Sequence, residues 1–163
     1  VLKKQVLNKM QNSTLYETDF NEWIQQQIVL LKQGKIDLLD VEHLVEELAE
    51  MGKTQRRELS SHLKILIAHL LKWQYQLSSL SNCFESYEGK SWRLTILEQR
   101  SQINDLLEEI PSLKREFSAT IEKVYPKAVL LTVKETRLAA ATFPAVCPYS
   151  NAQLLDDDFY PNC

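Results

Sequence analysis

Leu59, Leu63, Leu66, Leu70, Trp73 and Leu77 follow one another at steps of four, three, four, three and four within ELSSHLKILIAHLLKWQYQL, residues 58–77. Such spacing draws a continuous apolar stripe along an α-helix. Ile67 and Leu71 widen it on one side and Ile65 lies beyond the other. A helix this apolar needs partners over most of its circumference, so the rest of the chain is expected to pack around it. Low Gly and Pro content (3 and 5 in 163 residues) with abundant Leu, Glu, Gln and Lys favours helix throughout. The expected fold is all-α: a single-domain antiparallel helical bundle of five to six helices.

Local signals divide the chain. Residues 1–14 read as an N-terminal arm or short helix, 15–141 as the bundle, and 142–163 as an extended tail and short helix packed on it. Asp19 and Glu22 resemble a capping box opening a helix that Gly34 closes, with Phe20, Trp23, Ile24, Gln27, Leu30 and Leu31 inward. Asp40 can cap a helix from Val41 to Met51, with Val41, Leu44, Val45 and Leu48 inward. Gly52 then reads as a helix end and Thr54 as the cap of the central helix, forming a hairpin. A single helix kinked at Gly52 is the alternative.

Residues 78–89 are loop-like. Ser91 precedes a stripe of Trp92, Ile96, Ile103, Leu107 and Ile110 that stops at Pro111. Ser112 can cap the next helix, with Leu113, Phe117, Ile121 and Val124 inward. Pro126 either breaks that helix or starts another, which continues through Ala128, Leu131 and Leu138 to about Ala141. In the tail, residues 142–148 carry two prolines and should be extended. Ser150 and Gln153 form a second capping-box pair ahead of QLLDDDF.

The blocks LYETDFNEWIQQQ, VEELAEMGKTQRREL, LIAHLLKWQYQ, SWRLTILEQR, IPSL and TFPAVCPYSNAQLLDDDFYP together resemble the family of domain of unknown function twenty-nine. The resemblance runs from about Leu15 to Pro161. It implies a small all-helical domain of a kind found mainly in cyanobacteria, and it brings no activity, cofactor or site residues.

Charge and composition narrow the function classes. The net charge is −3, and Lys53, Arg56 and Arg57 form a small basic cluster read as lying at a turn, so nucleic acid is not an expected partner. Lys64 and Lys72 interrupt the most apolar run, so no membrane span is expected. The start, VLKKQVLNKMQ, lacks the apolar core of a signal peptide. Cys83, Cys147 and Cys163 are scattered, which fits thiols in a reducing cytoplasm better than a disulfide frame or zinc site. No phosphate loop, nucleophile elbow or HExxH is present. No catalytic residue and no cofactor is assigned.

One constellation remains. If the hairpin forms, Glu58, His62 and His69 on the central helix and His43, Glu47 and Glu50 on the preceding one lie on flanks of the same rotational sense, and the two columns can converge. Arg100 falls within the apolar arc of its helix and needs satisfying there. A buried polar network of Arg100, Glu47, Glu58 and His69, with Glu98 and Glu135 behind, is the preferred reading. The alternative is a metal site of Glu47, Glu50, Glu58 and His62, whose helical spacing of four differs from the Glu-x-x-His of di-iron bundles. His62 and His69, about 10 Å apart along the axis, are too far apart to share one ion. Cys147 reads as a structural thiol and Asp156–Asp158 as a solvated helix end.

The function expected is that of a non-enzymatic bundle that binds itself or a protein partner. A metal-binding bundle with hydrolytic or redox activity is the alternative. A small-molecule cavity beside Trp73 and Trp92 is a third class that no residue pattern tests.

Overall fold

The structure, a computed structural model, describes the backbone of residues 14–80 and 87–162, with side chains for residues 14–76 and 90–162. The possible helix within residues 1–13, and Cys83 and Cys163, lie outside the described residues. The fold is all-α, with no strand among the described residues. Residues 14–18 are helical. They are followed by α1 (Phe20–Lys32), α2 (Val41–Leu80), α3 (Tyr87–Glu109), α4 (Leu113–Thr136) and the short α5 (Asn151–Leu155). Two compact units result, Val1–Thr54 and Gln55–Cys163, with residues 41–54 of α2 in the first and 55–80 in the second.

In the first unit α1 begins as its sequence dictates. The Asp19 side chain accepts the Glu22 backbone N–H, filling one of the donors a helix start leaves open. Gly34 ends the helix at φ +66°, a left-handed conformation that glycine adopts without a Cβ clash. Only Trp23 and Gln27 of its inward face are fully buried, whereas Phe20 and Leu31 are exposed.

The hairpin expected at Gly52 does not form. Residues 41–80 are one 40-residue α-helix, which bears out the continuity of the second reading. Gly52 does not take up a positive φ. An interior glycine costs a helix only about 1 kcal/mol relative to alanine, which long flanking helical runs outweigh. Val41, Val45 and Leu48, expected inward, are exposed at 56%, 60% and 67%. The buried side of this segment is instead polar, facing Tyr16 and Trp23 through His43 and Asp40.

The second unit is a helical bundle whose core follows the stripe. Leu59, Leu63, Leu66, Leu70, Ile67 and Leu71 are buried against Ile96, Ile103 and Leu107 of α3 and Phe117, Ile121, Val124 and Ala128 of α4. Full burial of each Leu, Ile, Val or Phe side chain among them contributes roughly 1.5–3 kcal/mol. α4 runs uninterrupted through Pro126 and ends at Thr136, not near Ala141. Arg137 closes it in a left-handed conformation, donating its N–H to the Val133 carbonyl.

The segment after α4 belongs to this core, because Phe143, Tyr149 and Leu154 are buried in the same cluster. Ser150 and Gln153 form the full capping box that starts α5. Ser150→Ala is expected to lower stability by about 1 kcal/mol, read as a small fall in denaturation midpoint with unchanged slope. An unaltered midpoint would show that the box adds nothing to a helix already held by Leu154.

Candidate functional site

Polar side chains gather in three places among the described residues. The first lies in the Val1–Thr54 unit. Asp40, buried at the start of α2, accepts from the Trp23 indole N–H at 3.2 Å and from His43 Nδ1 at 2.7 Å. Its backbone N–H donates to Gln27 Oε1 at 2.9 Å. Because a carboxylate oxygen can only accept here, Nδ1 of His43 carries a proton and donates it. Tyr16 stacks on His43 with ring centroids 4.0 Å apart, and its hydroxyl donates to Glu47 Oε1 at 2.5 Å. That bond, reinforced by burial, pushes the Tyr16 hydroxyl up to about 12, so it is a hydrogen-bond donor and not a nucleophile at neutral pH.

The second is Arg100, 0% exposed at the centre of α3. Its guanidinium donates to four backbone carbonyls of the C-terminal segment: Leu154 at 3.1 Å, Gln153 at 3.1 Å, Phe159 at 2.8 Å and, more weakly, Asp157 at 3.4 Å. The Tyr160 ring lies 5.5 Å from the guanidinium carbon. Burial lowers the Arg100 pKa, opposed by the charges of Tyr160, Asp157 and Asp156. Carbonyl oxygens thus replace the carboxylate partners expected from the sequence, and the planar fork of arginine suits several acceptors converging from residues 153–159.

The third joins α2 to α4. Lys72, nearly buried, donates to Glu135 Oε2 at 2.5 Å and to His69 Nε2 at 3.2 Å, beneath the Trp92 ring. His69 Nδ1–H donates to the Ile65 carbonyl at 2.9 Å. An ammonium can only donate and a carbonyl can only accept, so His69 is held neutral in one tautomer. Burial drives its pKa down, helped by the Lys72 charge and opposed by the Ile65 bond. This arrangement clamps two helices.

The residues singled out in the sequence are therefore dispersed. Glu47 binds Tyr16; Glu58 stands 4.0 Å from His62 Nε2; His62 donates to Gln99 Oε1 at 2.8 Å; and Glu50 pairs with Lys53 at 2.6 Å. The convergence of Glu47, Glu50, Glu58 and His62 depended on a chain reversal at Gly52, and α2 has none. Among the described residues no group of three or more His, Cys, Asp or Glu side chains is arranged to hold a metal. Cys147 is half-buried beside Tyr125 and Tyr149, and burial raises its pKa, which disfavours the thiolate.

Sequence reading passed over Asp40, Trp23, Gln27 and Lys72 as polar-network residues. Asp40-x-x-His43 and His69-x-x-Lys72 each have the helical spacing that brings polar side chains together, and that was the available signal.

Buried polar side chains that join helices and hold the chain end define an all-α protein built on hydrogen-bonded clasps. No helix among the described residues is long and apolar enough to cross a membrane. The chain belongs to the family described as Domain of unknown function DUF29, whose model matches residues 15–160. No curated protein and no solved structure matches it.

Proposed function

We propose that the protein is an interaction module whose first unit docks a basic amphipathic helix of a protein partner. The supporting observation is the apolar face of α2 that packing leaves uncovered. Val41, Val45, Leu48 and Met51 are all more than half exposed and recur at steps of four, three and three. A stripe of this kind is the complement of a partner helix with anchors at the same spacing, and Met51 adds an adaptable contact.

Charge selects the partner. Residues 41–52 contain Glu42, Glu46, Glu47 and Glu50 and no Lys or Arg. By helical spacing Glu42 borders the stripe beside Val45. A second copy of this segment would place acid against acid, whereas Lys or Arg beside the anchors of a partner helix would complement it.

The test uses two labelled helical peptides with the same leucine stripe, one flanked by lysine and one by glutamate. Fluorescence anisotropy should show binding of the lysine form alone. Leu48→Glu, at an exposed position, should weaken it roughly tenfold or more while helix content is unchanged. Equal binding of both peptides, or indifference to Leu48→Glu, would sink the reading. Concentration-dependent dimerisation abolished by Leu48→Glu would instead assign the stripe to self-association.

A further inference from the structure

A second surface, within the Gln55–Cys163 unit, has the opposite charge. α2 and α4 enclose a groove of about 400 Å³. From α2 it is lined by Arg56, Arg57, Ser60, Ser61 and Lys64. Lys123 and Lys127 face it from α4. The basic cluster read as lying at a turn thus sits inside a continuous helix. Its serines and Lys64 follow at steps of three and four, so they share a face with the arginines.

We propose that this groove binds a soluble oligophosphate, a chain of two or more phosphate groups. The cations outnumber what structural pairing uses. Glu116 forms a two-point bond to Arg56, from Nε at 2.8 Å and Nη2 at 3.0 Å, which fixes the guanidinium at the groove. Lys64, Lys123 and Lys127 make no ion pair among the described residues. Lys123 and Lys127 stand one turn apart on the same face, where like charges repel by roughly 0.2–0.5 kcal/mol. An anion between the helices turns that repulsion into attraction, and the two serine hydroxyls add neutral donors to its oxygens.

The lining also selects among anions. Val124 is its sole apolar contributor, and no aromatic ring is present on which a nucleobase could stack. Lys64 lies on α2 and Lys123 and Lys127 on α4, so the lysines line both sides of the groove, and a phosphate chain can reach both. The whole chain carries a net charge of −3, so the attractive field is local to the groove and does not form a track for a long polyanion.

Isothermal titration of the full chain with sodium tripolyphosphate, at matched ionic strength and beside sodium sulfate, tests this. Saturable one-to-one binding that weakens with added salt is expected, with sulfate much weaker. The double variant Lys123→Ala/Lys127→Ala, at exposed helix positions, should keep its helix content and bind roughly tenfold or more weakly. No saturable binding, undiminished binding by the double variant, or sulfate binding equally well overturns the proposal. So does binding of duplex RNA or phosphatidylserine vesicles through the same lysines with tripolyphosphate inert, which would reassign the groove to a nucleic-acid backbone or a membrane surface.

Discussion

Arg100→Leu is expected to loosen the C-terminal segment from the bundle and lower stability by roughly 3 kcal/mol, a fall of about 6–12 °C in melting temperature. Leucine restores much of the apolar volume and removes the cost of burying a guanidinium. It supplies no donor for the carbonyls of Gln153, Leu154 and Phe159, which arginine satisfies at 2.8–3.1 Å. Those acceptors are backbone groups, so no companion substitution can convert them to apolar groups, the route by which replacing a buried ion pair becomes neutral. Arg100→Lys keeps the charge but presents a single ammonium in place of a planar fork, and should recover less than half of the loss. Hydrogen exchange is the discriminating readout, because backbone amides of residues 151–160 should lose protection before those of α3. A tail that stays fully protected in Arg100→Leu would mean that Phe143, Tyr149 and Leu154 hold it by packing alone.

The second large effect belongs to Asp40 in the other unit. Asp40→Ala leaves the buried Trp23 indole N–H without its acceptor and removes the atom that orients His43. An orphaned buried donor costs about 1–3 kcal/mol, and with the lost His43 bond a total of roughly 2–3 kcal/mol is expected. Trp23 and His43 bond the same carboxylate oxygen, so Asp40→Asn can keep both bonds through its amide oxygen while losing the charge, and its effect should fall between alanine and wild type. The loss should be concentrated in faster amide exchange across Phe20–Lys32. Unchanged exchange there in Asp40→Ala would show that Trp23 is held by its ring contacts with Tyr16 and Phe20 and that the hydrogen bond is incidental.

The surfaces of the two units make contrasting demands on composition. Residues 41–52 combine exposed aliphatic side chains with acid, and residues 56–64 combine base with hydroxyls. Neither pattern is needed to build a helix, and an exposed valine or a pair of lysines one turn apart makes no contribution to the core. These are the two patterns on which the proposed partner helix and phosphate chain rest.

Helical character was legible in the sequence because it is a local property. Periodicity of Leu59, Leu63, Leu66 and Leu70 identified the central stripe, and Asp19, Gly34 and the Ser150–Gln153 pair marked helix ends through bonds made within a few residues. Three matters were decided only by the tertiary structure. Gly52 can end a helix or sit inside one at small cost, and the continuity of α2 removed the reversal on which a Glu47–Glu58 site depended. Residues 40–51 have one apolar and one polar face, and burial went to the polar face, where Tyr16 bonds Glu47 and Trp23 and Gln27 bond Asp40. Arg100 required acceptors that the sequence could not name, since a backbone carbonyl is the same at every residue and only the path of the chain brings four of them to one guanidinium.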